Sequence, residues 1–285
     1  MFITPMKGIY VPSLNCFFFL IEKNANTSLR MWAILNFCKE QDTVLKTKKF
    51  LKDNDPQGFS SFFHELTQST EGNISDDLKY GVISRENFME HFNTNTKFIG
   101  FLRDPVERAI SVYGDKLDRL IPESKQLALG GKSTSLARKS FIEALREYTA
   151  YMNMIRYFYE GADHINELKV VTKNNHISFY DRHIRQQYEL VGPLGEMIFS
   201  NKAFPHMQNH LFLLDTKDSG CLDGILKAVT GFETKIKIEK IKARQSKEKF
   251  EFTKEEREEI KKILMSDYEF LKRTNIFTYR KESES

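Results

Sequence analysis

Phe17-Phe18-Phe19-Leu20-Ile21-Glu22-Lys23-Asn24-Ala25-Asn26-Thr27-Ser28-Leu29-Arg30 is the stretch from which the fold can be read. Its five consecutive apolar residues are too few to span a bilayer and suit a buried parallel strand. The run stops at Glu22-Lys23, passes through small and amide residues, and enters a helix-forming stretch over about 28–40. A strand, a tight polar turn and a helix start together present backbone N–H groups and a positive dipole end to an anion. Thr27 and Ser28 add hydroxyl donors there, and Lys23 adds a mobile cation. The stretch is a candidate phosphate- or sulfate-holding loop.

A second passage of the same kind lies 80 residues on. Phe98-Ile99-Gly100-Phe101-Leu102 is a short apolar strand followed at once by Arg103-Asp104-Pro105-Val106-Glu107-Arg108-Ala109-Ile110-Ser111. Pro105 suits the first turn of a helix. Val106, Ile110, Tyr113, Leu117 and Leu120 repeat at amphipathic spacing, with Arg103 just before the helix and Ser111 two turns in. Further helices are expected over about 139–160 and after Thr253-x-x-Glu256, a capping box. The last helix points Ile260, Ile263, Leu264, Tyr268 and Leu271 inward. Trp32 reads as a core anchor. Residues 8–11 suggest a short edge strand, Asp53 to Gly58 a turn, and Leu168–Val171 a strand. Phe59 to His64 form an aromatic patch that is either core or the cover of a substrate pocket.

Composition narrows the function classes. With 285 residues, 40% hydrophobic and 29% charged, the chain fits one large α/β domain spanning 1–285. A net charge of +4 suits an anionic small ligand and falls short of a nucleic-acid footprint. Three well-separated cysteines suggest neither zinc nor a disulfide framework, which points to a reducing compartment. The chain begins with nothing like a signal peptide and contains no 18-residue apolar run, so a cytoplasmic location without membrane insertion is expected.

Taken together, the two passages resemble the sulfotransferases that use 3′-phosphoadenosine 5′-phosphosulfate (PAPS). Lys23-Asn24-Ala25-Asn26-Thr27-Ser28 is similar to the family loop that wraps the 5′-phosphosulfate, with Ala25 where Gly is common. Arg103-Asp104-Pro105-x-x-Arg108-x-x-Ser111 is similar to the family motif whose first Arg and Ser bind the 3′-phosphate. The Ala form of the loop, and Asp267-Tyr268 on the closing helix, look most like the carbohydrate-type branch, sulfotransferase family 2. The resemblance implies a P-loop-like three-layer fold, with a central parallel sheet of four to five strands flanked by helices. It also implies sulfuryl transfer to a hydroxyl or amine of a small-molecule or glycan acceptor. Lys23 would stabilise the leaving phosphate, and Arg244 in the basic run before the last helix would add a late phosphate contact.

The proton acceptor is less evident. Lys79-Tyr80-Gly81-Val82-Ile83, where many relatives carry a base, offers no acid or imidazole. His206 in Phe204-Pro205-His206-Met207-Gln208-Asn209-His210 resembles a His-containing segment of the carbohydrate branch and is the first choice, with His64 the alternative. His206 and His210 would also be four apart on a helix, but no third ligand or H-E-x-x-H pattern accompanies them, so no metal is expected. A P-loop kinase is the first rival, although G-x-x-x-x-G-K-[ST] is absent and Lys23 precedes its turn. A catalytically silent nucleotide-binding protein is the second.

Overall fold

A computed structural model describes residues 6–21, 26–83, 95–120, 131–158, 186–188, 191, 209–214, 221–236, 250–273 and 276–277. The chain divides into two compact units. One comprises Pro5–Arg103, Leu194–Gln245 and Arg273–Ser285, and the other Met1–Thr4, Asp104–Pro193 and Ser246–Lys272.

The described residues of the first unit form one seven-stranded sheet. Its strands are β1 (Met6–Val11), β2 (Cys16–Phe19), β3 (Asn73–Ser75), β4 (Leu78–Ile83), β5 (Lys97–Arg103), β6 (Asn209–Leu214) and β7 (Ile276–Phe277), in the order β3-β4-β1-β2-β5-β6-β7. The strands β2, β5, β6 and β7 pair in parallel, whereas β2–β1, β1–β4 and β4–β3 are antiparallel. The fold is therefore α/β, but its sheet is mixed: four parallel strands are extended by an antiparallel half.

That half corrects the reading of residues 8–11 as an edge strand. β1 lies inside the sheet between β4 and β2, with Ile9 and Val11 fully buried. Gly8 is there for close approach: a Cβ on it would come 2.0 Å from the Phe17 ring and 2.6 Å from the Phe18 carbonyl oxygen. A 3₁₀ turn (Pro12–Leu14) and Asn15, at φ 46°, join β1 to β2. Asn15 then ties this hairpin to the start of β5. Its Oδ1 accepts from Tyr10 at 3.0 Å and Thr96 at 2.9 Å, and its carbonyl accepts from the Lys97 N–H at 2.9 Å.

Helices α1 (Asn26–Phe37), α2 (Gln41–Lys52) and α3 (Pro56–Ser69) follow β2, and α6 (Cys221–Thr230) follows β6. Trp32 is fully buried against Phe18 and Phe37, as a core anchor should be. The segment 41–69, in which the sequence suggests only a turn and an aromatic patch, forms two helices. α2 turns Thr43 and Thr47 inward, and the Thr47 hydroxyl donates to the Thr43 carbonyl at 2.8 Å. The expected turn at Asp53 to Gly58 contains the start of α3: Asp55 caps the Gly58 N–H at 2.8 Å and Pro56 occupies the first turn. Phe59 and Phe63 face the core, so that part of the aromatic patch is packing.

The described residues of the second unit include four helices: α4 (Pro105–Leu120), α5 (Ser135–Phe158), α7 (Lys254–Ile263) and α8 (Met265–Arg273). Val106, Tyr113, Leu117, Phe141, Leu145, Tyr148 and Ile260 make its core. The capping box forms as expected, with the Thr253 hydroxyl accepting from the Glu256 N–H and Glu256 Oε2 from the Thr253 N–H. Glu256 also receives Arg138 Nε at 3.0 Å, and Arg257 pairs with Glu107. The single closing helix expected from the sequence is two, separated at Leu264. Leu168–Val171 lies outside the described residues.

Candidate functional site

The first passage starts from a strand with no solvent-facing side. All four residues of β2 are buried, followed by buried Leu20 and Ile21. The Leu20 N–H reaches the Lys7 carbonyl at 3.0 Å, so the sheet continues one residue past the strand. Lys23, Asn24 and Ala25 lie outside the described residues. Asn26, Thr27 and Ser28 form the half-buried first turn of α1. No acid sits in that turn. The first N–H groups of a helix have no intrahelical acceptor, and together with the dipole they favour an anion. Asn26 Oδ1 is buried without a hydrogen-bond partner. One turn further on, the Arg30 guanidinium lies 4.7 Å from the centre of the Phe63 ring, a cation–π contact that holds a positive charge on the same helix.

The second passage begins at Arg103, the half-buried last residue of β5. β5 is the parallel neighbour of β2, with Phe18 opposite Ile99, so both strands deliver their carboxyl ends to the same edge of the sheet. In open α/β sheets that edge is where ligands bind. Asp104 then occupies the cap of α4. Its carbonyl accepts from the Arg108 N–H at 2.9 Å and its Oδ1 from the Glu107 N–H at 3.0 Å. The other carboxylate oxygen, Oδ2, accepts from the Tyr268 hydroxyl of α8 at 3.0 Å. Burial, reinforced by the Asp104 charge and this bond, pushes the Tyr268 phenol well above its ordinary range, so it stays a donor at neutral pH. Ser111 is half-buried on α4, and Arg108 is 4% exposed.

The Tyr268–Asp104 bond was not legible in the sequence, where Tyr268 reads as one more inward residue of an amphipathic stripe. Neighbouring Asp267 is 1% exposed, and its Oδ1 accepts from the Tyr188 N–H at 2.9 Å.

The remaining candidates divide. His206 and Arg244 lie outside the described residues. His64 is exposed on α3, with a ring nitrogen 3.2 Å from Gln68 Nε2. The four-apart pairing of His206 and His210 on a helix is corrected: His210 belongs to strand β6, opposite Ile99. Gly81 lies within β4, opposite Gly8, and no atom lies within 4 Å of a Cβ built on it. Burial pushes the Cys16 thiol up to about 12, which removes it as a nucleophile at neutral pH. Among the described residues no group of His, Cys, Asp and Glu could hold a metal ion, and no helix is long and apolar enough to cross a membrane.

Residues 9–272 match the model of the sulfotransferase family, a span that includes both passages and runs through both units. No curated protein and no solved structure matches the chain.

Proposed function

The chain belongs to the sulfotransferase family, in its carbohydrate-type branch, and on that premise we propose that it takes a sulfuryl group from PAPS and transfers it by in-line displacement to a hydroxyl or amine of a small-molecule or glycan acceptor. The observation that carries this reading is the placement of β2 and β5. They are adjacent and parallel, and each leads at one sheet edge into a motif of the family. The family match spans 9–272, which supports treating 1–285 as one sulfotransferase-like domain of P-loop-like architecture. The free thiols of Cys16 and Cys38 suit a cytoplasmic location.

In this mechanism the acceptor oxygen or nitrogen attacks sulfur as the bond from sulfur to the 5′-phosphate oxygen breaks. Negative charge grows on that departing oxygen. Lys23, the Asn24–Ser28 backbone N–H groups and the Thr27 and Ser28 hydroxyls would supply donors to it. Preorganised donors of this kind each lower a barrier by about 3–4 kcal/mol. Arg103 and Ser111 hold the 3′-phosphate, for which a guanidinium is the fitting partner. Arg244 adds a cation to the same nucleotide, and His206 accepts the proton from the acceptor. The transferred group carries less charge than a terminal phosphoryl, so the chemistry makes little demand for a metal.

The test is thermal stabilisation by adenosine 3′,5′-bisphosphate, followed by transfer of labelled sulfate to a panel of hydroxyl and amine acceptors. Ligand at 100 times its Kd should stabilise the protein by about 2.7 kcal/mol. Absence of any shift overturns the donor assignment. A shift without turnover on any acceptor favours a silent nucleotide-binding protein, a reading that the baseless position at Gly81 also favours.

A further inference from the structure

We propose that Tyr268 is a positioning residue for the 3′-phosphate end of the nucleotide, acting through Asp104 on the turn that carries Arg103. The inference rests on the donor reading above and gives a role to a residue outside both strand-to-helix passages.

The geometry runs through one carboxylate. Asp104 Oδ1 is engaged by the Glu107 N–H of its own helix at 3.0 Å, and Oδ2 by the Tyr268 hydroxyl of α8 at 3.0 Å. A carboxylate held at both oxygens cannot rotate, and Asp104 follows Arg103 directly in the chain. The backbone that aims the guanidinium is therefore set at one end by the β5 ladder, in which Arg103 pairs with Leu214, and at the other by a donor 164 residues away. A second tie acts on the same turn, since Arg257 of α7 pairs with Glu107. The two partners differ in kind. Glu107 and Arg257 are both well exposed, and a screened surface pair constrains little. The Tyr268–Asp104 bond is part-buried and charge-assisted, with one donor and no water needed. Removing the hydroxyl leaves Oδ2 without this donor and only Oδ1 to fix the carboxylate, which loosens the turn that carries Arg103.

The experiment is calorimetric titration of adenosine 3′,5′-bisphosphate and adenosine 5′-monophosphate into wild type, Tyr268→Phe, Asp104→Asn and Thr253→Ala. The readout is the ratio of the two affinities, which isolates the 3′-phosphate. Tyr268→Phe should lower that ratio about tenfold and leave monophosphate affinity unchanged, as expected for one hydrogen bond to a charged group. Thr253→Ala removes a helix cap with no bond to Asp104, so it should lower the melting temperature and leave the ratio intact. An unchanged ratio in Tyr268→Phe against a selective wild type overturns the positioning role, as does an equal drop in Thr253→Ala. A wild type that does not prefer the bisphosphate overturns the donor reading instead. Should Tyr268→Phe fold poorly, Asp104→Asn carries the same test: its amide oxygen still accepts from the Glu107 N–H, its NH₂ can only donate to the phenol oxygen, and loss of the charge-assisted bond should lower the ratio, whereas an unchanged ratio overturns the role.

Discussion

The two strand-to-helix passages look alike in sequence and work by different physics. α4 opens with its own anion: Asp104 caps the first turn and Glu107 stands within it. The positive end of that helix is already neutralised, and a phosphate brought to it would meet a carboxylate. On the proposed reading, binding there falls to side chains, Arg103 before the helix and Ser111 two turns in. α1 opens with Asn26-Thr27-Ser28 and no acid, after Ala25, whose side chain cannot accept a hydrogen bond. The positive end of its dipole therefore meets no carboxylate within the first turn. In the proposed reading one passage offers a helix end and a lysine, the other a guanidinium ahead of a self-capped helix.

The largest effect should come from the first passage. Lys23→Ala should lower the transfer rate by about 10²–10³, because its charge acts on the oxygen that becomes negative only as the bond breaks. Binding of adenosine 3′,5′-bisphosphate should weaken less. Single-turnover transfer of labelled sulfate checks this, and a variant with normal rate but poor binding would erase the division of labour. Arg103→Ala should do the converse: affinity for the bisphosphate falls about 10–100-fold through loss of charge-assisted bonds, with a smaller effect on the rate at saturating donor. Equal losses of rate and affinity in both variants would mean that the two passages act as one.

A milder pair of substitutions tests the helix ends themselves. Thr27→Asp places a carboxylate in the first turn of α1, where the dipole should raise stability by about 0.3–1 kcal/mol while the bisphosphate is repelled. Asp104→Ala should lower stability by about 1 kcal/mol or more, since a cap and the acceptor for Tyr268 go together. Opposite signs in thermal unfolding, with weakened nucleotide binding in both, are the expected outcome. A stabilised Thr27→Asp that binds as well as wild type would show that α1 does not face the ligand.

Much of this contrast could be read from the chain because it is local. Apolar runs, Pro105 after Asp104, hydroxyls after Lys23 and the Thr253–Glu256 box all act within a few residues of themselves. What escaped depends on distant partners. Gly8 looks like a break in a strand until Phe17 is seen to fill the space beside it. The helix α2 turns threonines into the core beside its apolar residues, their hydroxyls satisfied by the Glu40 carboxylate and the Thr43 carbonyl, so its inward stripe reads as partly polar in sequence. The cap of α3 is also a good turn sequence, and only the buried Phe59 and Phe63 beyond it decide between the two. The tie between Asp104 and Tyr268 spans 164 residues, and no local pattern encodes it.

The smallest effect, and the most specific to the self-capped end, lies at alkaline pH. Tyr268 titrates ordinarily at 10.0, and in the fold its pKa is raised, first by burial and then by Asp104. A raised pKa means that the folded state favours the protonated phenol. Its contribution is fully present below pH 10.0 and is lost as pH climbs from there through the folded value. Ionisation would set a phenolate against the Asp104 carboxylate, opposing two negative charges where one hydrogen bond had been. Unfolding free energies measured from pH 8 to 11 should therefore fall less steeply for Tyr268→Phe than for wild type. The first turn of α1 contains no ionisable side chain, so Thr27→Ser should leave that alkaline slope as it is. If Tyr268→Phe keeps the wild-type slope, the phenol is not the group that closes α4, and the contrast between an open and a closed helix end loses its titratable half.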